Sequence, residues 1–147
     1  MTTRRTVSRT LITLGCIVLF VSAAMHCVAY QKLSAPVVHA SNLPIPMQSV
    51  FEIAFLSMAW SWIVLAVVVL VVTFGEARLA KAITLICGFA VLIQAVLIVP
   101  ILGFFIGNEM IGAGSLLVII GAFFQHSGIG DQLAPDNRSR SQNMASW

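Results

Sequence analysis

A few side chains in this sequence are chemically out of keeping with their surroundings: His26, Ser57, Gln94 and Ser115 interrupt long apolar runs, and Glu52 stands at the edge of one. An imidazole in such a place can accept a proton or donate to a carbonyl such as that of a quinone. A carboxamide and hydroxyls can orient a ligand, and a carboxylate can take a proton or a cation. Trp60 and Trp62 fall near the middle of an apolar run, away from the interfacial belt where tryptophan is enriched, and could flank a flat hydrophobic ligand or pigment. The ligand-binding set read from the sequence is therefore His26, Ser57, Trp60, Gln94 and Glu52.

Each of these residues also has a plainer reading. His26, Gln94 and the serines can bond to one another as glue between helices, each bond worth on the order of 0.6 kcal/mol, and a serine can bond its own preceding turn. Ser49 and Glu52 form a Ser-x-x-Glu pattern before an apolar run, the signature of a capping box. Tryptophans pack against helices or lipid more often than against ligands.

Depth is the argument for treating the misfits as one group. At a rise of about 1.5 Å per residue, His26 lies about 22 Å from Leu11 and Gln94 about 20 Å from Lys81. Ser57 comes to a similar level within a hydrocarbon core of roughly 30 Å, and Ser115 falls near it. Spacing assigns them to faces as well. Gly15, Leu19, Ser22 and His26 make one stripe, Ala54, Ser57 and Ser61 a second, and Thr84, Cys87, Gly88, Val91, Gln94 and Ala95 a third. Small and polar residues on a membrane helix turn toward its partners.

Other chemistries find no support. His26, His39 and His126 fall at different depths, so one chain does not supply two axial ligands to a haem. His26, His39, Glu52 and Glu109 suit zinc or copper by type but lack a recognised ligand spacing. The glycines of GFFIGNEMIGAG are not followed by the lysine that a phosphate loop needs. Cys16, Cys27 and Cys87 form no CxxC and read as small buried thiols. No catalytic set, metal site or cofactor is assigned, and the chain reads as a non-enzyme.

The elements that must hold these residues follow from composition. The 147-residue chain is 59% hydrophobic and 9% charged, with a mean hydropathy of +1.00, far from the roughly 25% charge of soluble domains. The run VFEIAFLSMAWSWIVLAVVVLVVTF (50–74) exceeds the roughly 20 residues needed to cross a bilayer. With it come apolar runs over about 11–30, 79–105 and 110–125. The expected fold is an all-α integral membrane protein, an antiparallel bundle of four transmembrane helices. Residues 1–10 form a basic N-terminal segment and residues 127–147 a polar tail.

Between the first two spans, Pro36, Pro44 and Pro46 in QKLSAPVVHASNLPIPMQS predict a long non-helical loop. Gly75 predicts a helix end in the positive-φ region, and Asn108 predicts a cap before the fourth span. Pro100 predicts a kink, and Gly103-x-x-x-Gly107 a contact between copies. Arg4, Arg5, Arg9, Arg78, Lys81, Arg138 and Arg140 fall on one side of this topology and Lys32 alone on the other. Bases stay inside, which places both termini in the cytoplasm and the protein in the inner membrane. The net charge of +3 is thus accounted for without nucleic acid. The partners expected are the lipid bilayer and other membrane subunits or further copies of the chain. The function expected is that of a non-catalytic accessory or structural subunit, and the competing reading is a small redox, quinone- or pigment-binding protein.

Overall fold

The computed structural model describes residues 2–75, 78–103 and 106–125. The polar tail, with His126, Arg138 and Arg140, lies outside them, as does Glu76. The described residues are helical almost throughout. Helix α1 spans Thr2–Ala29 and passes through a π-helical turn, Tyr30–Ser34, into the short α2, Ala35–His39. It is followed by α3, Ile45–Phe74, α4, Ala80–Leu102, and α5, Ile106–Phe123. Four stretches are long and apolar enough to cross a membrane: Thr3–His39, Ile45–Phe74, Ala80–Pro100 and Ile106–Phe123.

Several boundaries differ from expectation. Residues 2–10 of the basic N-terminal segment are continuous with the first span in α1, because arginines are good helix formers whose charged heads can reach water from a helical stem. The expected long loop shrinks to residues 40–44. Pro36 stands at the start of α2 and Pro46 at the start of α3, positions where a missing N–H is harmless. Just before Pro36 the hydrogen bonding widens, and the Ala35 N–H reaches the Tyr30 carbonyl.

The capping box does not form. Helix α3 begins a full turn before Ser49, with Pro44 as its N-cap, and the Ser49 hydroxyl donates backward to the Ile45 carbonyl at 3.3 Å. Gly75 closes α3 at φ −76°, an ordinary right-handed value. Its glycine is needed for space, since a Cβ there would meet the Val71 oxygen at 2.8 Å. The positive φ, 74°, belongs to Gly103, which lies outside both neighbouring helices. Gly103 and Gly107 therefore do not share a helical face. Asn108 is not a cap either, for α5 starts at Ile106 and Asn108 is buried within its first turn.

Helix α1 packs on α5 and α3, and α4 packs on the same two helices. The α1–α3 contacts run in opposite chain directions. Arg9 lies over the Phe74 ring, the Cys16 thiol faces the Ala66 carbonyl at 3.6 Å, and His26 meets Phe55. The α1–α5 contacts also run oppositely, from Arg4 at Phe123 and Ser8 at Gly121 to Gly15 at Gly114. The shared core is formed by Ile12, Cys16, Leu19 and Ala23 of α1, Ala59, Trp62, Ala66 and Val69 of α3, Cys87, Val91 and Ala95 of α4, and Ile111 and Val118 of α5.

The expected small-residue stripes of α1 and α4 are indeed buried, His26 and Gln94 only partly. On α3 the expectation fails: Ala54 and Ser57 are exposed and Ser61 is half-buried, while Ala59, Trp62, Ala66, Val69 and Thr73 turn inward. The outer surface carries many exposed large apolar side chains, including Ile17, Val28, Val64, Val71, Ile86, Ile93 and Leu97. In water each would forgo about 25 cal/mol per Å² of apolar area left unburied; lipid tails remove that penalty.

Candidate functional site at the His26 end

His26 stands one turn beyond Ser22, near the C-terminal end of α1, where the helix meets the first half of α3. Its Nε2 is 3.1 Å from the Phe55 carbonyl oxygen. A carbonyl only accepts, so Nε2 carries a hydrogen, and in the neutral imidazole Nδ1 then holds the lone pair. The imidazole stacks on the Phe55 ring with centroids 4.2 Å apart and planes 11° from parallel. Trp62, two turns further along α3, meets the imidazole edge-on at 5.0 Å and 69°.

The Trp62 indole N–H donates to Gln94 Oε1 of α4 at 2.8 Å. Trp62 is 1% exposed, and a buried indole N–H calls for such a partner. The Tyr30 ring also meets Phe55, tilted by 38° with centroids 5.0 Å apart. Tyr30 is 2% exposed, and its hydroxyl has no partner. Tyr30, Phe55, His26, Trp62 and Gln94 thus form one row across α1, the π-helical turn, α3 and α4.

The structure brings two of the sequence-derived residues, His26 and Gln94, into this row and sets Glu52 close enough to Tyr30 for its charge to act on the phenol; Ser57 and Trp60 lie elsewhere. The Ser57 hydroxyl donates to the Ala54 carbonyl of its own helix at 2.8 Å, and the residue is exposed. Trp60 is 65% exposed and Glu52 is exposed on α3. Ser115 is fully buried, but its hydroxyl donates to Gly112 of its own turn at 2.8 Å. The level layer of four polar side chains is therefore not a connected group: two serines bond locally, as hydroxyls beside their own preceding carbonyls readily do.

The connector is Trp62. A signal for it was present in the sequence, because it lies three residues after Ala59 and four before Ala66, on a small-residue stripe of helical spacing. Phe55 and Tyr30 carry no comparable signal.

Chemically, the row offers an imidazole lone pair and an unpaired phenol to a hydrogen-bonding group. Among the described residues no three His, Cys, Asp or Glu side chains gather as metal ligands. Cys16, Cys27 and Cys87 are free thiols, the first and last buried. A recess of about 460 Å³ opens along the end of α1 and the π-helical turn between Ala24, Met25, Val28, Ala29, Lys32 and Leu33; no member of the row lines it. Comparison of the chain with protein-family models, with curated proteins and with solved structures finds no match in any of the three.

Proposed function

We propose that the chain is a multi-pass inner-membrane protein, a four-helix bundle with both termini cytoplasmic, that serves as a non-catalytic accessory or structural subunit beside other membrane subunits or copies of itself. The observation that carries this reading is the use of the interior polar groups within the fold. His26 donates to Phe55 and Trp62 to Gln94, so the side chains best suited to chemistry act as ties between helices. The bias of bases toward one end supports the orientation.

The outward stripe of Ala54, Ser57 and Ser61 on α3 is the face this reading assigns to a partner helix, since small residues allow close backbone approach in lipid. Crosslinking in native membranes tests it. Cysteine pairs introduced at Ala54 and Ser57 should capture a neighbouring subunit or a second copy, and capture confined to lipid-exposed controls such as Ile93 would reject the assignment. Single cysteines at Leu43 and Arg140 should label from opposite sides of the membrane.

A second reading rests on the buried, unpartnered hydroxyl of Tyr30 beside the His26 row. A small redox, quinone- or pigment-handling role would employ that hydroxyl and His26 Nδ1. A ligand that co-purifies and is lost in both Tyr30→Phe and His26→Ala would favour it over the subunit reading.

A further inference from the structure

The helix pairing gathers the beginnings of α1 and α4 and the ends of α3 and α5 at one end of the molecule, and this concentrates charge. Arg4 reaches the Phe123 carbonyl, Nη2 to oxygen 3.4 Å, and Arg9 sits 5.3 Å over the Phe74 ring. Arg5 adjoins Arg4, while Arg78 and Lys81 flank the start of α4. Along the chain the bases at this end, Arg4, Arg5, Arg9, Arg78 and Lys81, outnumber Glu76, which joins Gly75 to Arg78 and lies outside the described residues; Glu52 and Glu109 stand near the starts of α3 and α5, at the other end.

The spacing also suits a bilayer. From Arg9 to Lys32 the helical path is about 34 Å, and from Glu52 to Phe74 about 33 Å, against a hydrocarbon core of roughly 30 Å. If Arg9 marks the boundary of the core, Arg4 and Arg5 extend about 6–8 Å beyond it, to the level of lipid phosphates. Arg4 and Arg9 are held by contacts to α5 and α3, so their cations are positioned before a lipid arrives. A guanidinium carries five N–H donors in a planar fork that matches phosphate oxygens.

We infer that this basic end is a binding collar for anionic phospholipids, with Arg4, Arg5, Arg9, Arg78 and Lys81 taking the headgroup phosphate and the apolar flanks of α1 and α4 taking the acyl chains. The inference rests on the membrane-spanning reading. The occupant is a lipid and not a soluble phosphate because the bases ring the ends of helices whose outer faces are apolar, so charge and acyl contacts are offered together.

Native mass spectrometry of the detergent-purified protein, mixed with equal phosphatidylglycerol and phosphatidylcholine, tests the collar. Phosphatidylglycerol adducts should dominate and survive activation that strips phosphatidylcholine, and soluble glycerol phosphate should not displace them. Neutralising Arg5, Arg78 and Lys81 together, each to Gln, should weaken retention about fivefold per base, while Lys32→Gln leaves it unchanged. Equal retention of the two lipids, or loss of selectivity in Lys32→Gln alone, would overturn the collar. Displacement by glycerol phosphate would overturn the lipid assignment. Flotation with vesicles of either lipid is the separate check on membrane insertion: a protein that floats without lipid selectivity refutes only the collar, and one that does not float refutes the membrane reading.

Discussion

The seam between α1 and α5 and the seam between α3 and its neighbours hold the same molecule together by opposite means. Along α1–α5, side chains are removed so that backbones can touch. A Cβ at Gly15 would lie 2.7 Å from the Gly114 carbonyl oxygen, and one at Gly121 would lie 2.7 Å from Ile12 Cγ1. Along α3 the space is filled by a large side chain, Trp62, whose indole is tied to Gln94 and edged by His26. The first seam is steric and gains from dispersion at close range; the second is directional and depends on a buried donor finding its acceptor. In lipid, where burial of apolar surface drives little association, both devices are available to join helices.

The contrast can be broken at its steric side with the largest effect. Gly15→Val places branched carbon against a backbone oxygen that cannot swing aside, and should destabilise the fold by about 3 kcal/mol, read from unfolding in mixed micelles. Gly112→Ala in α5 is the matched control. Its Cβ meets nothing within 4 Å, and stability should stay within about 0.5 kcal/mol of the parent.

At the directional side, Trp62→Phe keeps most of the ring volume but strips the donor from Gln94, and a loss of about 1–2 kcal/mol is expected in the same assay. A loss above that of Gly15→Val would reverse the ranking of the two seams. Ser8→Ala sharpens the boundary between them, because its hydroxyl donates to the Gly121 carbonyl at 2.8 Å within the steric seam. About 1 kcal/mol should be lost, which would show that even this seam is not purely steric. The smallest effect is the Trp62–Gln94 coupling in a double-mutant cycle of Trp62→Phe with Gln94→Leu. A value of about 0.6 kcal/mol is expected, and zero coupling would reduce the hydrogen bond to an incidental contact.

The faces of α1 and α4 were legible in the sequence because each helix carries a single run of small and polar residues at helical spacing against a bulky apolar background. Helix α3 was not legible. It holds two such runs, Ala54, Ser57 and Ser61 on one side and Ala59, Ala66 and Thr73 on the other, and hydropathy does not choose between them. The inward run is the one that includes a tryptophan, a residue that reads as lipid-facing until a partner for its N–H is known. The candidate site was legible to the same extent: His26 and Gln94 were singled out as misfits and Trp62 as an oddly placed tryptophan, but not as the residue that joins them.

Proline punctuation misled for a related reason. Pro36 and Pro46 occupy helix starts, where proline is tolerated, and the same residues in a helix interior would have broken it. Position within the turn, not residue type, decided the outcome.

By itself the sequence determined the solvent-level features of this protein: four apolar stretches of membrane-crossing length and the positions of the bases beside them. Those follow from the transfer of each residue between water and apolar surroundings, a property that can be summed along one chain. Which helices touch, which face of α3 turns inward, and that Trp62 bridges His26 and Gln94 were decided only in the tertiary structure. These depend on the fit of surfaces from distant parts of the chain, and a glycine opposite a carbonyl or an indole opposite a carboxamide exists only once both helices are in place.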